Sequence, residues 1–225
     1  MEMNLELLSK NLSNKLQKEL QIDDEKKSII EYGIYAFIQM FISVFLVAIF
    51  GYIFDVFLES LIISFVGAIL RKYSGGAHAS TSLNCSIIGV IFTVIPSYII
   101  KKYYYNINYI IFIGIVWCIV SYIITYKLAP VDSPNKPVKK IDKIRRLKRG
   151  SIVIITIYMI IVIFNIALYY ITKNNSFLVY SLCVYIGASW QIFTLTKCGH
   201  NTINIIDSLL IKIVELKRRN RNEKN

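Results

Sequence analysis

The sequence is poor in histidine, cysteine and proline, with two, four and four residues among 225. It contains no HExxH motif, which argues against the metalloprotease pattern of two zinc-binding histidines on one helix. The cysteines do not suggest a disulfide framework, because Cys118 and Cys183 fall inside apolar runs, where cysteine is usually a small hydrophobe. We also find no internal repeat and no separate soluble domain.

Charge is scarce within the long apolar runs. Hydrophobic residues make up 55% of the chain and the mean hydropathy is +0.52, well above a soluble domain. A membrane-spanning helix needs about 20 apolar residues, and six stretches approach or reach this length. They are 29–50, 51–70, 86–100, 109–126, 152–171 and 177–195. We therefore predict an all-α polytopic integral membrane protein with about six transmembrane helices.

The basic residues predict the orientation. With six spans and both termini inside, 23 of the 26 lysines and arginines lie on the cytoplasmic side, as the positive-inside rule requires. The termini and the residues between the second and third spans are then cytoplasmic. The net charge of +12 suits contact with anionic lipid or with an acidic peptide. Nucleic acid is not an expected partner, because the basic residues flank the spans and no binding-fold signature is present.

Amphipathic segments flank the apolar core. Leu5, Leu8, Leu12, Leu16 and Leu20 recur at four-residue and three-residue steps, which predicts a helix on the membrane surface. A second such helix covers residues 202–219, with Ile206, Leu209, Leu210 and Ile213 on one face. We expect one membrane domain over 1–225, with an interfacial helix at 1–28, a six-span core at 29–195 and a basic amphipathic helix at 200–225.

One histidine and one cysteine stand together after the second apolar stretch. His78 and Cys85 are seven residues apart and follow the pair Gly75-Gly76. An imidazole beside a thiol can take its proton, and the thiolate attacks carbonyl carbon. This pairing indicates a cysteine peptidase; the alternative is that the two residues share a span boundary by accident.

A continuous helix would hold the pair apart. Seven residues at about 1.5 Å of rise each separate the Cα atoms by about 10 Å, too far for direct proton transfer. Gly75-Gly76 predicts a helix break, and Ser80, Thr81 and Ser82 are suitable N-caps for a new helix. If Ser82 is the cap, Cys85 lies in the first turn, where the helix dipole favours a thiolate and free backbone N–H groups can stabilise an oxyanion.

A proline-rich loop supplies the second notable segment. Residues 129–137 hold three of the four prolines together with Asp132, and a basic stretch follows at 141–149. Proline removes a backbone donor and fixes φ, so the loop is predicted to be stiff and non-helical. It serves either to shape a site or simply to connect two spans. Asp132, Ser82 and Asn84 are unranked candidates to orient His78.

These two segments together resemble the AgrB family of bacterial accessory-gene-regulator membrane endopeptidases. The resemblance rests on Arg71-x(3)-Gly75-Gly76-x-His78-Ala79-x(5)-Cys85 and on Ala129-Pro130-x-Asp132-x(4)-Pro137. It extends to the size, the layout of the spans and the basic loop. It implies catalytic His78 and Cys85, with a contribution to activity from Arg71 and Gly76.

The resemblance also implies a substrate and a partner. The substrate would be an AgrD-like quorum-sensing propeptide with an acidic C-terminal tail, which suits the basic residues Lys139, Lys140, Arg145 and Arg146. Cys85 would cut off the tail as a thioester, and a cysteine or serine of the peptide would close a thiolactone or lactone ring. The protein would act as a homodimer and would need no cofactor or metal.

Two other classes of function remain open from the residues alone. Cys198 and His200 could join His78 and Cys85 in a Cys₂His₂ zinc set, although the spacing matches no standard site. A membrane transporter is the other alternative. Transporters usually carry buried charges or broken helices in related halves, whereas these spans are nearly free of charge, with Asp55 and Glu59 near an outer edge.

Overall fold

The computed structural model describes residues 2–77, 79–103, 106–131 and 141–222, and these residues form eight α-helices. They are α1 (Glu2–Leu20), α2 (Asp24–Ile53), α3 (Phe57–Ser74), α4 (Ser82–Lys102), α5 (Ile107–Leu128), α6 (Ile141–Thr172), α7 (Ser176–Phe193) and α8 (Lys197–Asn222). The all-α membrane architecture expected from the sequence is confirmed.

Within the described residues, five helices are long and apolar enough to cross a membrane, namely α2, α4, α5, α6 and α7. The sixth apolar stretch is α3, which carries Glu59, Arg71 and Lys72 within its 18 residues. Glu59, near the N-terminal end of α3, forms an ion pair with Lys101, whose Nζ lies 3.9 Å from the Glu59 carboxylate. One face of α3, with Ile63, Val66 and Leu70, is buried in the bundle, whereas Phe65 and Ile69 are exposed.

The main core is built by α3, α5, α6 and α7. Ile63 and Leu70 of α3 pack with Ile155 of α6 and Ala188 of α7, all of them buried. Gly187 lets α7 approach α3 closely, since a Cβ there would lie 2.6 Å from the Ile63 carbonyl oxygen. This packing fixes the C-terminal end of α7 beside the C-terminal end of α3.

One boundary differs from the sequence expectation. The first apolar stretch was expected to end at residue 50, yet α2 continues to Ile53 and the turn falls at Phe54–Val56. Asp55 adopts a left-handed φ of 55° there, which short acidic side chains tolerate better than most. The basic stretch at 141–149 leads directly into the following span, and the two form one helix, α6.

Helix α1 packs on α2 and buries two serines. Ser9 and Ser13 are buried, and Ser13 Oγ lies 3.2 Å from Glu31 Oε2 of α2. Leu8 and Leu12 remain exposed. Leu5 and Leu16 are half-buried, so only part of the leucine stripe of α1 lies on the exposed face, where an interfacial helix would meet lipid.

Candidate active site

Helix α3 ends at the paired glycines. Gly75 is the C-cap with φ 68°, and Gly76 follows with φ 131°. Both conformations disfavour side chains. A Cβ on Gly75 would collide with the Val131 carbonyl oxygen, and one on Gly76 would lie 2.5 Å from Thr194 Oγ1. The predicted helix break at Gly75-Gly76 is confirmed, and both glycines are required by their surroundings.

A new helix begins just before Cys85. Thr81 is the N-cap, and its side-chain oxygen accepts a 3.1 Å hydrogen bond from the Asn84 amide. The start of α4 agrees with the sequence expectation, but the cap is Thr81 rather than Ser82, which becomes the first helical residue. Cys85 is half-buried at the end of the first turn. A single helix running through residues 71–90 is excluded.

Because Thr81 and not Ser82 is the cap, the backbone N–H groups left without a hydrogen bond differ from those expected. The Cys85 amide donates to the Thr81 carbonyl at 3.1 Å, and the Asn84 amide is bonded to the cap. The expectation of free N–H groups around Cys85 is therefore wrong for these two residues, because each is already satisfied within the capped turn. Oxyanion stabilisation from the Cys85 and Asn84 amides would require these bonds to open.

The loop after α3 is anchored by α7 and by the segment after α5. Gln191 Nε2 donates to the Gly75 carbonyl at 2.6 Å and lies 3.0 Å from Ser74 Oγ. The Ala77 amide donates to the Thr194 carbonyl at 3.1 Å. The Val131 amide donates to the Ser74 carbonyl at 2.9 Å, beside the Ala129-Pro130 peptide, which is cis. Two segments distant in sequence, the end of α7 and the residues after α5, thus hold the loop.

Arg71 links the end of α3 to the same loop. Its Nη2 donates to the Ala77 carbonyl oxygen. Its guanidinium is also close enough to Cys85 for their charges to interact. A guanidinium in this place orders the residue before His78 through a charge-assisted hydrogen bond. The structure therefore brings Arg71, Gly75, Gly76 and Cys85 together.

Helix α8 contributes an aspartate that the sequence motifs did not identify. Asp207 is 8% exposed; its Oδ1 accepts from Asn84 Nδ2 at 2.7 Å, and its Oδ2 accepts from the Ser80 amide at 3.0 Å. Burial raises its pKa, but the hydrogen bonds from Asn84 and Ser80 outweigh burial, so the pKa lies below its usual range. The carboxylate is ionised near neutral pH. In the sequence, Asp207 could have been identified as an acidic residue on the buried side of a basic amphipathic helix.

Several residues expected at the site fall outside the described part of the chain. These are His78, Asp132, Lys139 and Lys140. The separation between the His78 ring and the Cys85 sulfur therefore stays a prediction. Arg145 and Arg146 are exposed on the first turns of α6. Ser82 is buried and its carbonyl accepts from Ser86 Oγ at 3.1 Å, so it supports the first turn of α4.

The zinc hypothesis has limited structural support. Cys198 is exposed and His200 is half-buried, both in the first turn of α8. In the parts of the chain that the structure describes, no group of three or more His, Cys, Asp or Glu side chains is arranged to hold a metal ion. His78 lies outside those parts.

Comparison with known proteins gives consistent relatives. The sequence profile of the family described as Accessory gene regulator B matches residues 9–195, a region that ends before α8. A putative AgrB-like protein of Clostridium perfringens (strain SM101 / Type A) is 42% identical over 93% of this chain and 100% of its own length. The accessory gene regulator protein B of Staphylococcus epidermidis is 30% identical over 63% of this chain and 60% of its own.

No solved structure matches the chain. The profile match nevertheless covers most of it, and includes both the glycine loop and Cys85. The chain therefore belongs to the accessory gene regulator B family of quorum-sensing membrane proteins.

Proposed function

We propose that this protein is a membrane cysteine endopeptidase that removes the C-terminal tail of an AgrD-like autoinducing propeptide. Cys85 is the nucleophile and His78 is the general base. The observation that carries the proposal is the placement of Cys85 at the end of a capped first turn, directly after a loop fixed by Arg71, Gln191 and Thr194. A nucleophile needs such a rigid setting to meet its base in a productive geometry.

The course of the loop supports contact between positions 78 and 85. Ala77 and Ala79, on either side of His78, pack in one cluster with Ile88 of α4. Ile88 lies one turn beyond Cys85 on the same helix. Because residues 71–90 do not form one helix, the separation of about 10 Å that a continuous helix would impose does not apply.

In the first chemical step, the Cys85 sulfur attacks the carbonyl carbon at the junction between the future signal peptide and its tail. His78 takes the thiol proton and returns it to the nitrogen of the leaving tail. The C–N bond breaks, and the peptide remains on Cys85 as a thioester. Arg71 holds the residue before His78 in place through its hydrogen bond to the Ala77 carbonyl.

In the second step, a cysteine thiol or serine hydroxyl within the peptide attacks the thioester. His78 takes the proton of the attacking thiol or hydroxyl, the new bond closes a thiolactone or lactone ring, and the C–S bond to Cys85 breaks as His78 passes that proton to the leaving sulfur. For a cysteine, one thioester replaces another, so no ATP or cofactor is needed. Water must be excluded, since it would hydrolyse the intermediate, and the packed ends of α3, α4 and α7 restrict its access.

The acidic tail of the propeptide would bind the basic segment. Arg145 and Arg146 are exposed, and Lys139 and Lys140 precede them in the chain. Arginine pairs with carboxylates in a bidentate manner, which gives orientation as well as attraction. These four residues are therefore proposed to hold the tail while Cys85 acts on the junction.

The site is proposed to face the cytoplasm of a bacterial cell, in a homodimer. The basic residues of α1, the 127–149 segment and α8 would all lie on that side, together with both termini. The membrane lipid would contact the exposed apolar face of α2. Labelling of the exposed Cys198 in sealed right-side-out vesicles tests the orientation, since an impermeant reagent should fail to reach it.

The decisive experiment is capture of the thioester. The purified protein, reconstituted in lipid vesicles, is incubated with a synthetic propeptide whose internal nucleophile is replaced by alanine, which blocks ring closure. Mass spectrometry should detect the peptide without its tail attached to Cys85, and hydroxylamine should release it. Cys198→Ala should form the same adduct. Tail release from a protein that never carries an adduct on Cys85 would refute the proposal.

A further inference from the structure

The strongest unassigned feature lies where α8 meets the loop after α3. The carboxylate of Asp207 contacts one residue near each member of the proposed catalytic pair. The Ser80 amide, two residues after His78, donates to Oδ2 at 3.0 Å, and the side chain of Asn84, directly before Cys85, donates to Oδ1 at 2.7 Å. Two segments that must stay aligned for proton transfer are thus joined through one rigid carboxylate.

Apolar packing supports the same contact independently. Ile203 of α8 is buried against Ala77 and Ile88, and Ile206 and Leu210 pack around that cluster. Leu209 and Ile213 of the same helix remain exposed. The face of α8 that bears Asp207 therefore covers the loop and α4, whereas the leucine and isoleucine stripe expected on one face is divided between this contact and the surface.

The hydrogen bonds are also well suited to hold a fixed geometry. An ionised carboxylate accepting from N–H groups forms stronger bonds than a neutral acceptor. Asp207 is nearly buried, so water competes little for these donors. The backbone N–H of Asn84 donates to the side chain of the cap residue Thr81. This bond fixes the backbone of Asn84, whose side chain contacts Asp207.

We propose that Asp207 is a positioning residue for the peptidase reaction, and that α8 locks the loop carrying His78 onto the helix turn carrying Cys85. The inference rests on the proposed function of Cys85 and His78. Asp207 acts through Ser80 and Asn84 and is not itself a catalytic residue. Helix α8 is accordingly part of the site, in addition to any contact with lipid.

The test compares variants of the full-length protein in lipid vesicles with a synthetic propeptide. Asp207→Ala should lower kcat for tail release by between about 10-fold and about 10²-fold, the scale of a small misplacement of reacting groups, and leave KM unchanged. Glu215→Gln, which removes an exposed acid from the same helix, is the matched control and should retain full activity.

Exchanging the side chains of Asn84 and Asp207 distinguishes a positioning role of Asp207 from a general loss of stability of the protein. Asn84→Asp alone places two carboxylates face to face and should impair turnover. In the double variant Asn84→Asp/Asp207→Asn, the new amide donates to the new carboxylate and its oxygen still accepts from Ser80, so most of the lost kcat should return. Such a rescue is the coupling expected of two residues in direct contact.

A second readout needs no substrate. The rate at which iodoacetamide alkylates Cys85, relative to Cys198, should fall in Asp207→Ala and recover in the double variant. A normal kcat in Asp207→Ala, a change confined to KM, or a double variant without rescue would each overturn the role of Asp207. If Cys85→Ala itself still cleaves the propeptide, the proposed function fails instead, and the two failures are therefore distinguishable.

Discussion

Gln191 Nε2 donates a 2.6 Å hydrogen bond to the carbonyl of Gly75, and so ties the last turns of α7 to the end of α3. Gln191 is 2% exposed and the same nitrogen lies 3.0 Å from Ser74 Oγ. An amide inside an apolar bundle is costly unless its polar atoms are bonded. The contact explains why Gln191 interrupts an otherwise apolar helix: it determines where the glycine loop lies.

Replacement of Gly76 by alanine should disable the protein. The φ of 131° is strained for any residue with a Cβ, at about 1–3 kcal/mol, and the new methyl would press on Thr194 and Gln191. We expect a lower midpoint of thermal unfolding in detergent and a large loss of propeptide cleavage.

Gly89→Ala is the matched control for this change. Gly89 lies in the interior of α4 with nothing within 4 Å of a built Cβ. Alanine favours a helix over glycine by about 1 kcal/mol, so the midpoint should stay level or rise and cleavage should continue. Equal effects of the two substitutions would contradict the packing described around Gly76.

Cys85→Ala and Cys85→Ser should both abolish tail release and leave membrane insertion intact, because only a thiolate at this position forms the thioester. Cys118→Ala and Cys183→Ala should stay active, since both residues lie within apolar helices. Tail release is measured by chromatography of the peptide products. Normal release by Cys85→Ala would exclude a thioester on this residue.

His78→Gln should slow the reaction by at least about 10²-fold, because an amide can hold a hydrogen bond but cannot exchange a proton as an imidazole does. Single-turnover kinetics of tail release measure this step directly. Chelators should leave the wild-type rate unchanged. Inactivation by a chelator, reversed by zinc, would favour a metal site involving Cys198 and His200.

The sequence was sufficient for the elements of the fold and for part of the site. Apolar length predicted the helices, because the membrane requires backbone hydrogen bonds to be satisfied within each segment. Gly75-Gly76 likewise predicted the helix break from the local sequence alone. The positions of Asp207, Gln191 and Thr194 at the loop could not be predicted, since they arise from packing between helices more than 100 residues apart in the chain.

Charge reversal of Lys139, Lys140, Arg145 and Arg146 should raise KM for a propeptide with an acidic tail more than it lowers kcat. The two arginines are exposed on α6, away from the bonds that hold the loop, so the chemistry at saturation should persist. Higher salt should raise KM in the wild type as well, because exposed charges are screened over about 8 Å at physiological ionic strength. A propeptide with a neutral tail is the control and should respond to neither change. If neither charge reversal nor higher salt changes KM for the propeptide with an acidic tail, the basic segment contacts lipid instead of substrate.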